Sequence, residues 1–160
     1  MRHVIALMVM SVVLWGDPAE GSEMGNRYDV TWDSPSQDEN GSMPLGNGDI
    51  ALNAWIEPRG DLVFYISKTD TWDDNGRLLK VGRMRVTITP CPLGDGAAFR
   101  QTLSLSQGMM TARYGEGQDA TYLRIWADAN HPMVYVELDA PRPVIAAASI
   151  ELWRAERCTL

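Results

Sequence analysis

The sequence predicts an all-β protein, an antiparallel β-sandwich, and three observations carry that prediction. Beyond the first twenty or so residues the apolar positions recur with a period of two, and no helical periodicity runs long enough to form an element. Turn residues separate these segments at short, fairly even intervals, as sandwiches and barrels require. The 160-residue chain is also about one domain's worth, long enough to bury a core without staples.

In chain order, Arg2 and His3 precede an apolar run over residues 4–15 that Gly16-Asp17-Pro18 breaks. A basic start, a short apolar stretch and small residues near Ala19-Glu20-Gly21 describe a secretory signal peptide over residues 1–21. The run is short of the roughly 20 residues a membrane span needs, and a buried N-terminal helix is the alternative. The expected sandwich then occupies residues 22–160, secreted or periplasmic. Strands are predicted at residues 28–32, 49–57, 62–67, 83–89, 99–105, 109–114, 121–127, 133–138 and 144–152. Residues 34–42 read as a polar loop. Arg83–Thr89 alternates most cleanly, with Met84, Val86 and Ile88 predicted to point inward. Pro58-Arg59-Gly60-Asp61, Asp74-Asn75-Gly76 and Gly115-Glu116-Gly117 supply turns. Trp32, Trp55, Trp126 and Trp153 fall in predicted strands and are expected in the core, whereas Trp72 falls outside one. The chain stops at "ELWRAERCTL" directly after its last strand, which suggests a piece of something longer.

The formal charge of −7 disfavours nucleic acid and anionic membrane surfaces, and suits a neutral ligand such as a sugar. Export would permit a bridge between Cys91 and Cys158, although nothing in the sequence brings them within reach. With residues 1–21 removed, His131 is the one histidine left, so any Ser–His–acid or Cys–His site would have to use it. It stands in Asp128-Ala129-Asn130-His131-Pro132, which reads as a turn. Zinc spacings are absent, and no cofactor is called for. Arg59-Gly60-Asp61 and Asn40-Gly41-Ser42 spell an adhesion tripeptide and a glycosylation acceptor, and ordinary turn chemistry explains both.

Two stretches ask for more than turn chemistry. Pro44-Leu45-Gly46-Asn47-Gly48-Asp49 spends two glycines and an asparagine on one corner, where Gly46 and Gly48 permit unusual backbone or close approach. Asp70, Asp73 and Asp74 cluster around Trp72 in "SKTDTWDDNGRLL", without the spacing of a calcium loop. They form either a solvated loop or a contact surface offering an apolar ring and hydrogen-bonding groups to a sugar.

These residues carry a resemblance. "MPLGNGDIALNAWIEPRGDLVFYISKTDTWDDNGRLLKVGRMRVTI" resembles the start of the β-sandwich that precedes the catalytic barrel in fucosidase-type glycoside hydrolases of family 95, with Pro44, Leu45, Gly46, Asn47 and Gly48 matching its corner. Thr71-Trp72 stands where that family has Leu-Trp, and Asp73-Asp74 replaces its small residues. "FRQTLSLSQGMMTARYGEGQDATYLRIWADANHPMVYVELDA" follows the same rhythm, with Asn130-His131-Pro132 in place of Ser-His-Pro. As a whole segment the chain is still more similar to an uncharacterised exported bacterial family, domain of unknown function 5703. The resemblance implies a supersandwich-like N-terminal domain that holds no catalytic residue and partners a helical (α/α)6 barrel later in the same chain. It does not license fucose. On this reading Asn47, Asp49, Asp70, Trp72, Asp73 and Asp74 are contact residues toward glycan or barrel, and Pro44, Gly46 and Gly48 shape the corner. A free-standing carbohydrate-binding module and a sandwich-based surface interaction protein are the alternatives.

Overall fold

A computed structural model describes residues 28–94 and 96–151 of the chain. The expected signal peptide, Trp153 and Cys158 lie outside these residues. Ten strands form among the described residues: β1 (Val30–Trp32), β2 (Met43–Gly46), β3 (Ile50–Ile56), β4 (Leu62–Trp72), β5 (Leu78–Thr89), β6 (Phe99–Ser104), β7 (Met109–Tyr114), β8 (Thr121–Ala127), β9 (Val134–Asp139) and β10 (Ile145–Glu151). They make two five-stranded sheets, ordered β1-β6-β7-β8-β9 (sheet I) and β10-β5-β4-β3-β2 (sheet II). Every neighbouring pair is antiparallel. The fold is the all-β antiparallel sandwich that the alternation predicts.

Alternation builds the core between the sheets. Leu52, Ala54 and Ile56 of β3, Leu62 and Phe64 of β4, and Val86 and Ile88 of β5 meet Leu103, Met110, Ala112, Leu123 and Ile125 of sheet I. Met84 packs against this cluster from its edge, so all three inward positions predicted for β5 are found. Polar groups also cross between the sheets. Gln101 on β6 accepts a hydrogen bond at Oε1 from the Ile56 amide at 3.2 Å. At the turn after β3, buried Tyr114 donates its hydroxyl to the Gly60 carbonyl at 3.0 Å. Burial holds that phenol well above its ordinary pKa of 10.0.

Trp55 is only 1% exposed, yet it lies on the face of β3 opposite Ala54 and Ile56. Tyr65 packs on it at 5.3 Å, and the 34–42 segment returns along β3 with the Ser36 amide bonded to the Ile56 carbonyl. On the same face Arg85 binds Glu57 (2.6 Å), Asp61 (3.2 Å) and Glu151 (2.7 Å). Cys91 is an exposed free thiol, 2.9 Å from the Arg59 carbonyl.

Several expectations need correction. The corner begins as a strand, because Met43 and Leu45 bury their side chains while β2 pairs with β3. β4 and β5 run well past residues 67 and 83, so Trp72 ends a strand rather than standing in a loop. Trp32 is exposed on β1, a three-residue edge strand, and Trp126 is only half-buried beside Tyr135. The turn at Gly115 continues through a short helical turn, Gly117–Asp119, before β8.

Candidate functional site

One end of the sandwich gathers the β2–β3 turn, the outer part of the β4–β5 hairpin and the β8–β9 turn. Asn47 is its centre. Its Oδ1 accepts hydrogen bonds from the Asp49 and Ile50 amides, both at 2.9 Å, which shapes the turn from within. Its Nδ2 donates across to sheet I, to the carbonyls of Asp128 (2.6 Å) and His131 (3.0 Å). The asparagine therefore latches one sheet to the other. Gly48 takes φ = 93° here, a region open to glycine and strained for other residues. Gly46 is needed for a different reason, because an added Cβ would stand 2.8 Å from the Ile50 carbonyl oxygen. Pro44 is exposed on the β2 edge, where its missing N–H costs no ladder bond to a further strand.

The Asp128 side chain organises the opposing turn. Its Oδ1 accepts from the Asn130 and His131 amides and lies 2.9 Å from His131 Nδ1. The Asn130 amide first, and then the His131 ring, hold the carboxyl below its ordinary pKa of 3.8. His131 is thus a turn residue bonded to its own loop.

Asp49 joins the corner to β4. Its backbone carbonyl accepts from the Thr69 amide at 3.0 Å, and its carboxylate accepts from the Thr69 hydroxyl at 2.9 Å. Lys68 Nζ stands 3.2 Å from Asp49 and 2.7 Å from Asp70. The Thr69 hydroxyl and then Lys68 lower the Asp49 pKa, while Asp70 and then Asp49 raise that of Lys68.

Thr69 faces Asp49 because it continues the regular β3–β4 register beyond Ile50↔Lys68, while on its other side β4 bulges against β5. Ser67 pairs with Lys80 and Trp72 with Leu78, so β4 spends four residues where β5 spends one. Thr71 closes the bulge by donating its hydroxyl to the Lys68 carbonyl at 2.6 Å. Trp72 Nε1 donates to the Thr69 carbonyl at 2.7 Å, which anchors the indole while leaving the residue 59% exposed. Asp73 faces the hairpin turn, where its carboxylate accepts from the Asn75 and Arg77 amides and pairs with Arg77 Nε at 3.1 Å. Asp74 is exposed at the turn.

Asn47, Asp49, Asp70 and Trp72 are therefore brought together through Lys68 and Thr69, with Asp73 and Asp74 at the hairpin tip beyond them. Lys68, Thr69 and Asp128 escaped the sequence reading. Asp128 had a local signal, the Asp-x-Asn spacing of a side-chain-capped turn. Lys68 and Thr69 had none, since their roles depend on the pairing register of β3 with the outer part of β4. Among the described residues no group of three or more His, Cys, Asp or Glu is placed to hold a metal. No helix among them is long and apolar enough to cross a membrane.

Residues 31–160 match the family described as Domain of unknown function (DUF5703). The chain belongs to that family. The DUF5703 match starts within β1 and takes in both sheets, the Asn47 corner and the Trp72 bulge. No curated protein matches the chain.

Proposed function

We propose that this DUF5703 chain is a non-catalytic N-terminal β-sandwich of an exported carbohydrate-active enzyme of glycoside hydrolase type. It braces a catalytic barrel carried further along the same polypeptide and lines one side of its substrate cleft. The observation that carries this reading is the meeting of the corner and the Trp72 bulge at one end, through Asp49 and Thr69. That end presents an anchored but exposed indole beside ion-paired carboxylates, the surface chemistry that meets sugar rings. The likeness of Pro44–Gly48 to the fucosidase-type corner supports the same reading, as does the family model's designation as an N-terminal unit, DUF5703_N. Glu57, Asp61 and Glu151, the carboxylates that cluster on sheet II, are engaged by arginine, which suits a bracing role better than acid–base chemistry.

A glycan array on the 160-residue chain, its folding verified by circular dichroism, tests the proposal. The brace reading expects no signal that depends on Trp72. Binding abolished by Trp72→Ala would replace it with a free-standing carbohydrate-binding module.

A further inference from the structure

At the opposite end of the sandwich an open cavity of about 590 Å³ lies between the segment after β1, the β3–β4 turn, the β5–β6 connection and the ends of β6 and β7. Its volume falls in the range of small-ligand sites. Pro35, Pro58 and Leu93 give it apolar walls, and Arg100 and Arg113 enter it from sheet I.

The two arginines are direct partners in the β6–β7 ladder. Like charges placed opposite each other destabilise an antiparallel pair. Asp33 offsets only part of this, at 3.3 Å from Arg100 and with both side chains largely exposed. Arg113 has no carboxylate partner among the described residues, and its Nε is buried without a hydrogen-bond acceptor. Leaving a charged donor buried and unbonded is costly. Arg83 Nε is likewise buried without a hydrogen bond, but it lies 2.6 Å from the Glu151 carboxylate, and Arg85 on the same sheet also sits against carboxylates. Glu116 lines the cavity without pairing to Arg113.

From this geometry we infer that the cavity binds a small saccharide bearing a carboxylate, a uronic acid, with Arg113 as its principal contact and Arg100 beside it. A guanidinium fork matches a carboxylate through two parallel bonds, and a bound carboxylate would relieve the repulsion along the ladder. Apolar walls suit the C–H face of the ring. The carboxylate assignment rests on the arginines. The sugar assignment rests on the proposed function, although this site is separate from the Trp72 end.

Titration calorimetry on the full chain with sodium glucuronate, glucose and sodium acetate tests the inference. Glucuronate is expected to bind saturably, more tightly than either glucose or acetate, and to weaken as salt rises. Arg113→Gln should lose about tenfold or more in affinity, and Arg113→Lys should recover only part because it keeps the charge without the fork. Glu116→Gln should strengthen binding by removing an anion that repels the incoming carboxylate. Arg100→Gln, at an exposed position, provides a weakened variant that does not disturb the buried Nε. Glucose binding as tightly as glucuronate would overturn the carboxylate, and acetate binding as tightly would overturn the sugar. Full affinity in folded Arg113→Gln, or no saturable binding by the folded chain, would overturn the site. Trp72→Ala is expected to leave glucuronate binding unchanged, so this site and the proposed function can fail separately.

Discussion

Asn47 makes four hydrogen bonds with one side-chain amide, two that shape its own turn and two that reach the other sheet. Asn47→Ala is therefore expected to cost about 2 kcal/mol, because each bond contributes near 1 kcal/mol or less and two backbone carbonyls lose a donor. A urea midpoint that falls with an unchanged slope checks this. Asn47→Asp separates the two roles. It keeps an acceptor for the turn and places a second oxygen against the carbonyls of Asp128 and His131, so it should be no more stable than the alanine variant. Wild-type stability in Asn47→Asp would show that the cross-sheet bonds contribute little. Replacing Gly46 is a poor probe of any outward-facing role, since a side chain there meets the Ile50 carbonyl first. Trp72→Ala removes an exposed ring and its one bond to Thr69, and is the better probe of that end.

At the scale of single elements, β10 stands out. Ile145–Ile150 contains no charge and no proline, Ile145 and Ile150 are 71% and 68% exposed, and only β5 pairs with it among the described residues. Edge strands without such guards invite pairing with other chains. The chain is expected to self-associate at high concentration, and Ala147→Lys, opposite Thr87, should reduce this without loss of stability. Light scattering against concentration checks both. The elements also show which parts of the fold were readable. Strands β7 and β8 have the predicted limits because their buried and half-buried residues alternate along their length. Strand β2 was missed because four residues containing Pro44 and Gly46 look like a turn, although Met43 and Leu45 already alternate. The outer part of β4 was missed because Lys68-Thr69-Asp70-Thr71 has no apolar pattern. Bonds from Thr69 and Thr71 hold it, rather than burial. Turn chemistry within Asp73–Arg77 was legible locally. Contacts such as Asn47–Asp128 and Asp49–Thr69 were not, since they span 81 and 20 residues, the first depending on how the sheets stack and the second on the β3–β4 register.

Over the whole molecule, polar ties cross the sandwich at Asn47, Gln101 and Tyr114, while carboxylates secure its turns and one outer face. Asp49, Asp128 and Glu151 all titrate below their ordinary values, Glu151 chiefly because Arg85 binds it. A depressed carboxylate pKa stabilises the fold fully above the unfolded value, and that stability is lost as pH falls through the folded value. The urea midpoint should therefore be level from neutrality to about pH 5 and then decline steadily below it. Glu151→Gln should lower the neutral midpoint and make the acid decline shallower. Tyr114 works at the other extreme. Its raised pKa preserves stability below the unfolded value of 10.0 and loses it as pH climbs beyond, so Tyr114→Phe should blunt alkaline unfolding. The β4 bulge carries one more consequence. Pairing below it, from Leu62↔Val86 to Ile66↔Gly82, is regular, and the register shifts fall between Ile66 and Trp72, one on each side of the Ser67↔Lys80 pair. The outer arm is thus an exchangeable cassette: residues can be inserted, deleted or grafted at its tip while the strands beneath keep their register and the core keeps its side chains.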